Sequence, residues 1–197
     1  MKQKLKAIVS LLGVFAVSII LASCSIAGGE EGDVRDAVDE TMKIFKFAEN
    51  SDTASFADQN TIDTLNAYGV DANTFLGYCF KNLEWEIGEV NLSGDTGTVT
   101  VSITNVNLGA ALDQAGDKFA AFSETDEAHQ LFDEKGESAL VEKLFDFFYE
   151  IVDSGTLSTS TNEVTIDVHK TEDGVWEVDP DNDSLYRALF GGANLNF

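Results

Sequence analysis

Several stretches of the chain carry residue types suited to chemistry. In Asp126-Glu127-Ala128-His129-Gln130-Leu131-Phe132-Asp133, Asp126, His129 and Asp133 stand at i−3, i and i+4. On a helix this spacing gathers two carboxylates and an imidazole on one face, a donor set for a divalent cation. The competing expectation is a solvated acidic helix face. Asp179-Pro180-Asp181-Asn182-Asp183 begins like a calcium loop, but such a loop needs Gly at its sixth position and Glu at its twelfth. Ser184 and Phe190 stand there instead. The acids are therefore expected to make a turn and, through Asp181 or Asp183, a helix cap. His169 follows Val168 in an alternating stretch and should point away from the apolar face. Cys79 lies in the apolar stretch Phe75-Leu76-Gly77-Tyr78-Cys79-Phe80 without a neighbouring base, which predicts a buried, inert thiol. Among the 14 phenylalanines, Phe119, Phe122, Phe145 and Phe148 are candidates for lining an apolar ligand pocket, with core packing as the alternative. The sequence has no phosphate loop, no G-x-S-x-G elbow and no Cys/His cluster at metal spacing, and no cofactor is expected.

The second cysteine, Cys24, has a different setting. Lys2, Lys4 and Lys6 open the chain, and an apolar run from Ala7 to Ala22 follows, interrupted only by small residues such as Gly13 and Ser18. That is the charged and apolar order of a signal peptide, shorter than the roughly 20 apolar residues a spanning helix requires. The run ends in Leu21-Ala22-Ser23-Cys24, which resembles the lipobox of bacterial lipoproteins. The resemblance implies a diacylglyceryl group on the Cys24 sulfur, cleavage before Cys24, and a protein anchored on the extracytoplasmic face of a bacterial cell membrane. Two acyl chains suffice for stable anchoring where one does not. The expected organisation is a signal peptide over 1–23, a flexible Gly-rich tether over 24–32 and a single domain over 33–197.

About 165 residues remain for that domain, enough for a substantial core, and a hydrophobic content of 44% argues against disorder. Three of the twelve basic residues precede Ala7. Nine then face 35 acidic residues, a formal charge near −26. Such a surface repels phosphate backbones, so nucleic acid is excluded as a partner.

The elements that must position the candidate residues follow from periodicity. Asp33 caps a helix over about 34–49, with Val34, Val38, Met42 and Phe45 on one face. Short helical pieces are expected over 53–59 and 62–68, and another from Asp71. Alternation then takes over. Trp85 and Ile87 share a face, and beyond Gly88 the apolar positions move to Val90 and Leu92, the signature of a bulge. After the turn Ser93–Gly97, Val99, Val101 and Ile103 alternate, and the shift to Val106 and Leu108 predicts a second slip and a strongly bent hairpin. Residues 110–135 read as helical and acidic, and 138–152 as a buried helix. A second hairpin carries Val164, Ile166 and Val168, then Trp176 and Val178, and a last helix holds Leu185, Leu189 and Phe190. The order predicts an α+β fold with an antiparallel sheet packed on helices and a helical insertion between two hairpins.

With its "VRDAVDETMKIFK" helix, bent strands and closing Val175-Trp176-Glu177-Val178-Asp179 strand, the domain resembles cystatin-like or nuclear-transport-factor-2-like (SnoaL-like) domains. The resemblance implies a curved sheet folded over helices into a cone. Three functions are consistent with it. The first is a non-enzymatic lipoprotein binding an apolar small molecule, a peptide or an envelope protein. The second is a pocket enzyme acting as lyase, isomerase or hydrolase, and the third is an interaction module with no small ligand.

Overall fold

The computed structural model describes residues 29–47 and 59–192. The signal peptide, Cys24 and all but the last residue of the helical piece expected over 53–59 lie outside the described residues.

Helix α1, Gly29–Lys46, begins inside the segment expected as tether. Gly29 and Gly32 are poor helix formers, but Glu30 and Glu31 sit in the first turn, where the helix dipole favours acids. Arg35 holds Glu31 at 2.9 Å. Val34, Ala37, Val38, Thr41, Met42 and Phe45 form its buried face. Helices α2 (Gln59–Ala67) and α3 (Ala72–Phe80) follow. Asp71 caps α3 as expected, its carboxylate accepting the Thr74 N–H at 2.7 Å.

Strands β1 (Glu84–Ser93), β2 (Thr96–Val106), β3 (Thr159–Lys170) and β4 (Trp176–Val178) form an antiparallel sheet in the order β1-β2-β3-β4. Between β2 and β3 the chain makes α4 (Leu108–Phe122), α5 (Asp126–Lys135) and α6 (Glu137–Asp153), and α7 (Asp183–Leu189) follows β4. The fold is α+β, with seven helices among the described residues. The stretch expected as one helical region divides where Thr125 caps α5, accepting the Ala128 N–H at 3.2 Å.

The predicted slip at Gly88 is present, since the register of β1 on β2 shifts between Ile87 and Val90. The slip predicted in β2 is not. Its register on β3 runs unbroken from Thr96↔His169 to Val106↔Thr159. Alternation continues inward through Val99, Val101, Ile103 and Asn105, so a polar residue holds the fourth inward position. Sequence periodicity counts apolar residues, and a buried asparagine reads there as a change of phase.

One face of the sheet packs its aliphatic rows, Val99, Val101, Ile103, Ile166 and Val168, into the main core with α1, α3, α6 and α7. The other carries Thr98, Thr100, Ser102 and Thr104, paired with Asp167, Thr165, Glu163 and Thr161, as expected of a sheet with one solvated face. Helix α1 packs on both edge strands, β1 and β4. Trp85 Nε1 donates to Asp39 at 2.9 Å, Arg35 Nη1 to Ile87 O at 3.2 Å, and Lys46 Nζ to Lys81 O and Leu83 O at 2.8 Å each. Helices α4 and α6 pack on each other, with α5 against α6.

Candidate functional site

Three elements converge around Trp176 to form a cleft. Ala37, Thr41 and Phe45 recur at helical spacing on α1, and Trp176, Glu177 and Val178 come from β4. Asp179, Pro180, Leu185 and Tyr186 come from the turn and α7. Trp176 is only 1% exposed, and its indole Nε1–H has no hydrogen-bond partner. A buried donor without an acceptor is uncommon and costs stability. The free interior of the cleft admits about one water molecule. Thr41 Oγ1 donates to Ala37 O at 2.9 Å and Tyr186 Oη to Pro180 O at 3.0 Å, so both hydroxyls are engaged with backbone. Burial, with Asp181 and Asp183 nearby, raises the Tyr186 pKa and keeps the phenol protonated. The cleft thus offers mainly apolar walls, one indole donor and the acidic residues Glu177 and Asp179, and its hydroxyls are poorly placed to act as bases.

The residues singled out in the sequence are dispersed. Asp126, His129 and Asp133 share the exposed side of α5. Among the described residues no group of three His, Cys, Asp or Glu side chains is arranged to hold a metal ion. His169 lies at the surface, partly exposed, and contacts Asp179 through Nδ1. Neither Asp181 nor Asp183 caps α7. Asn182 occupies that position, and its side chain turns inward, accepting the Asp167 N–H at 2.8 Å and donating to Asp167 O at 3.1 Å and Asp179 O at 2.5 Å. The helix start is therefore stitched to β3 instead of being capped by an acid.

The four candidate phenylalanines fall into two packed clusters. Phe145 and Phe148 pack around Phe75, with ring centroids 5.4 and 5.6 Å away, inside the main core. Phe119 joins Ala128 and Leu140 in a smaller core, against which Phe122, Leu131 and Phe147 lie. Lys143 sits 4.9 Å from the centroid of the Phe147 ring, which covers that cluster with a cation. Cys79 is buried in the main core, where desolvation pushes its thiol pKa up and away from thiolate chemistry. Burial likewise raises the pKa of Tyr149, whose ring stacks on Tyr78 at 4.3 Å.

Sequence reasoning missed Asn105. It is fully buried, with Nδ2 donating to Leu189 O at 2.6 Å and Cys79 O at 3.0 Å. Its Oδ1 accepts the Val106 N–H at 2.8 Å. Those carbonyls belong to the last turns of α7 and α3, where helices leave acceptors unpaired. One side chain therefore terminates two helices on the sheet.

No family model matches the chain, and no curated protein matches it. A crystal structure of a candidate lipoprotein (ycdA) from Bacillus subtilis is similar to it with a TM-score of 0.49 and 14% identity, over 81% of this chain and 55% of that one. The chain thus spans little more than half the length of that protein. Among the described residues no helix is long and apolar enough to cross a membrane.

Proposed function

We propose that this chain is a lipoprotein held by Cys24 on the extracytoplasmic face of a bacterial membrane, and that its domain engages an envelope partner through its surface. The observation that carries the second half is the fate of the aromatic excess. Phe119, Phe122, Phe145 and Phe148 fill two cores, and the cleft at Trp176 has room for about one water rather than a small-molecule ligand. An interaction surface is the reading that does not require those cores to open. The passage of α1 across both sheet edges supports a cystatin-like or SnoaL-like cone. Four flat strands would span about 14 Å between their outer axes, so a helix touching both edges is most easily accommodated by a sheet that curls around it.

The anchor is tested by Cys24→Ala with metabolic acyl labelling and cell fractionation. Loss of label and release from the membrane are expected, and membrane retention without label would overturn the anchor. The surface reading is tested by native mass spectrometry of the purified full chain. A stoichiometric co-purified small molecule would overturn it.

A further inference from the structure

Building on the lipid-anchored reading, we infer that the domain faces the bilayer with the end formed by the β1–β2 and β3–β4 turns. The opposite end, from which α4 departs, is then held clear of the lipid. Topology separates the two ends. Glu30, in the first turn of α1, pairs with Lys170 at 2.6 Å, and the Lys170 N–H donates to Asp95 O at 2.8 Å. The start of α1 therefore lies beside the turn at Gly94–Asp95 and the turn over 171–175. At the other end of α1, Lys46 bonds the carbonyls of Lys81 and Leu83, just before β1. Lys81 in turn pairs with Asp153, where α6 ends. Helix α4 leaves β2 at this same end, because Val106 is its last residue.

Lengths decide the orientation. Five peptide steps separate Cys24 from Gly29, so at full extension the connection spans at most about 18 Å. The eighteen residues of α1 rise about 27 Å, and the eleven of β2 run about 34 Å in the same direction. With the far end against the lipid, Gly29 would stand more than 25 Å above it, roughly, beyond the reach of an anchored Cys24. With the turns toward the lipid, the tether suffices.

The charge of the near end fixes how it sits. Glu30, Glu31, Asp33, Asp95, Glu172 and Asp173 cluster there, and its cations Arg35 and Lys170 are already paired with Glu31 and Glu30. Facing anionic headgroups, this end is repelled within a Debye length of about 8 Å. The domain is therefore held off the surface with this end nearest to it.

The test uses the full acylated chain in vesicles of phosphatidylcholine and phosphatidylglycerol carrying an acceptor-labelled lipid. Asp173→Cys marks the near end and Asn82→Cys the far end, with Glu172→Cys and Thr156→Cys as second labels should either variant fold poorly. Acylation blocks Cys24 and burial protects Cys79, so a maleimide donor couples at the introduced thiol. The roughly 30 Å difference in height should make energy transfer from the near label at least about twofold stronger. Near-end transfer should rise further in high salt as the repulsion is screened. Equal transfer from both ends, or stronger transfer from Asn82→Cys, overturns the orientation. Intact mass of the same preparation separates the two failures: acylated Cys24 with equal transfer refutes only the orientation, and unacylated Cys24 refutes the anchor beneath it.

Discussion

Replacing Asn105 tests the claim that one side chain ends two helices. In Asn105→Ala, the carbonyls of Leu189 and Cys79 lose a donor and the Val106 N–H loses an acceptor, all in the buried interior. A typical hydrogen bond contributes about 1 kcal/mol net, and stranding a buried partner costs about 1–3 kcal/mol. Three stranded groups, discounted for relaxation and for sharing one side chain, give a loss of about 3–5 kcal/mol. With a urea m-value near 2 kcal/mol per molar, the midpoint should fall by about 1.5–2.5 M. The melting temperature should fall by about 10 °C. Asn105→Leu complements the test because it keeps the branched heavy-atom skeleton while replacing the polar atoms with bulkier methyl groups, and it should still lose about 2–4 kcal/mol. If the leucine variant unfolds within about 1 kcal/mol of the parent at unchanged m, the two carbonyls have other partners and the double-cap argument is refuted.

The same core fixes the response to further substitutions and to pH. Trp176→Phe discards a donor that has no acceptor and keeps a ring under Lys170, so it should cost only about 1 kcal/mol. Trp176→Ala should cost about 3–5 kcal/mol in the same urea titrations. Gly191 has φ +68°, and a Cβ there would run into Val106 O, so Gly191→Ala should lose about 2–4 kcal/mol by calorimetry. Cys79 keeps its proton in the folded state while an exposed thiol releases it near pH 8.5. Stability should thus be undiminished below about pH 8.5 and fall by up to about 1.4 kcal/mol per unit above it. Cys79→Ala should flatten that slope, and Tyr149 should steepen the fall again above about pH 10.

Where local physics dominates, the sequence was sufficient. The bulge at Gly88 shows because four apolar residues around one glycine change phase, and the cap at Asp71 shows because its partner Thr74 is three residues away. The order of helices and strands, with the insertion between β2 and β3, follows from the same short-range patterns. What failed needed partners distant in the chain. Asn105 reads as a slip because the two carbonyls that justify its burial lie at positions 79 and 189. The start of α7 was assigned to an acid, although Asn182 is recruited by β3 backbone at Asp167. The phenylalanines are one group in composition and two in space, because α6 meets α4 and α5 around Leu140 and Ala128 near its start and meets Phe75 of α3 further along.

The same contrast separates the location of this chain from its task. The proposed anchor rests on contiguous residues, Lys2 to Cys24, and a motif read linearly needs no fold. A partner surface is assembled from residues that only the fold brings together, and its chemistry cannot be counted along the chain. The tether joins the two scales. Five peptide steps at most about 18 Å long, set against a helix of about 27 Å, turn a linear motif into a constraint on orientation. If the anchor holds, the acidic turns are committed to the lipid side. On the proposed reading, the far end, around Asn82, Asp153 and the root of α4, then faces away from the lipid toward an envelope partner. Substitutions there, and not at the turns, should weaken capture of that partner.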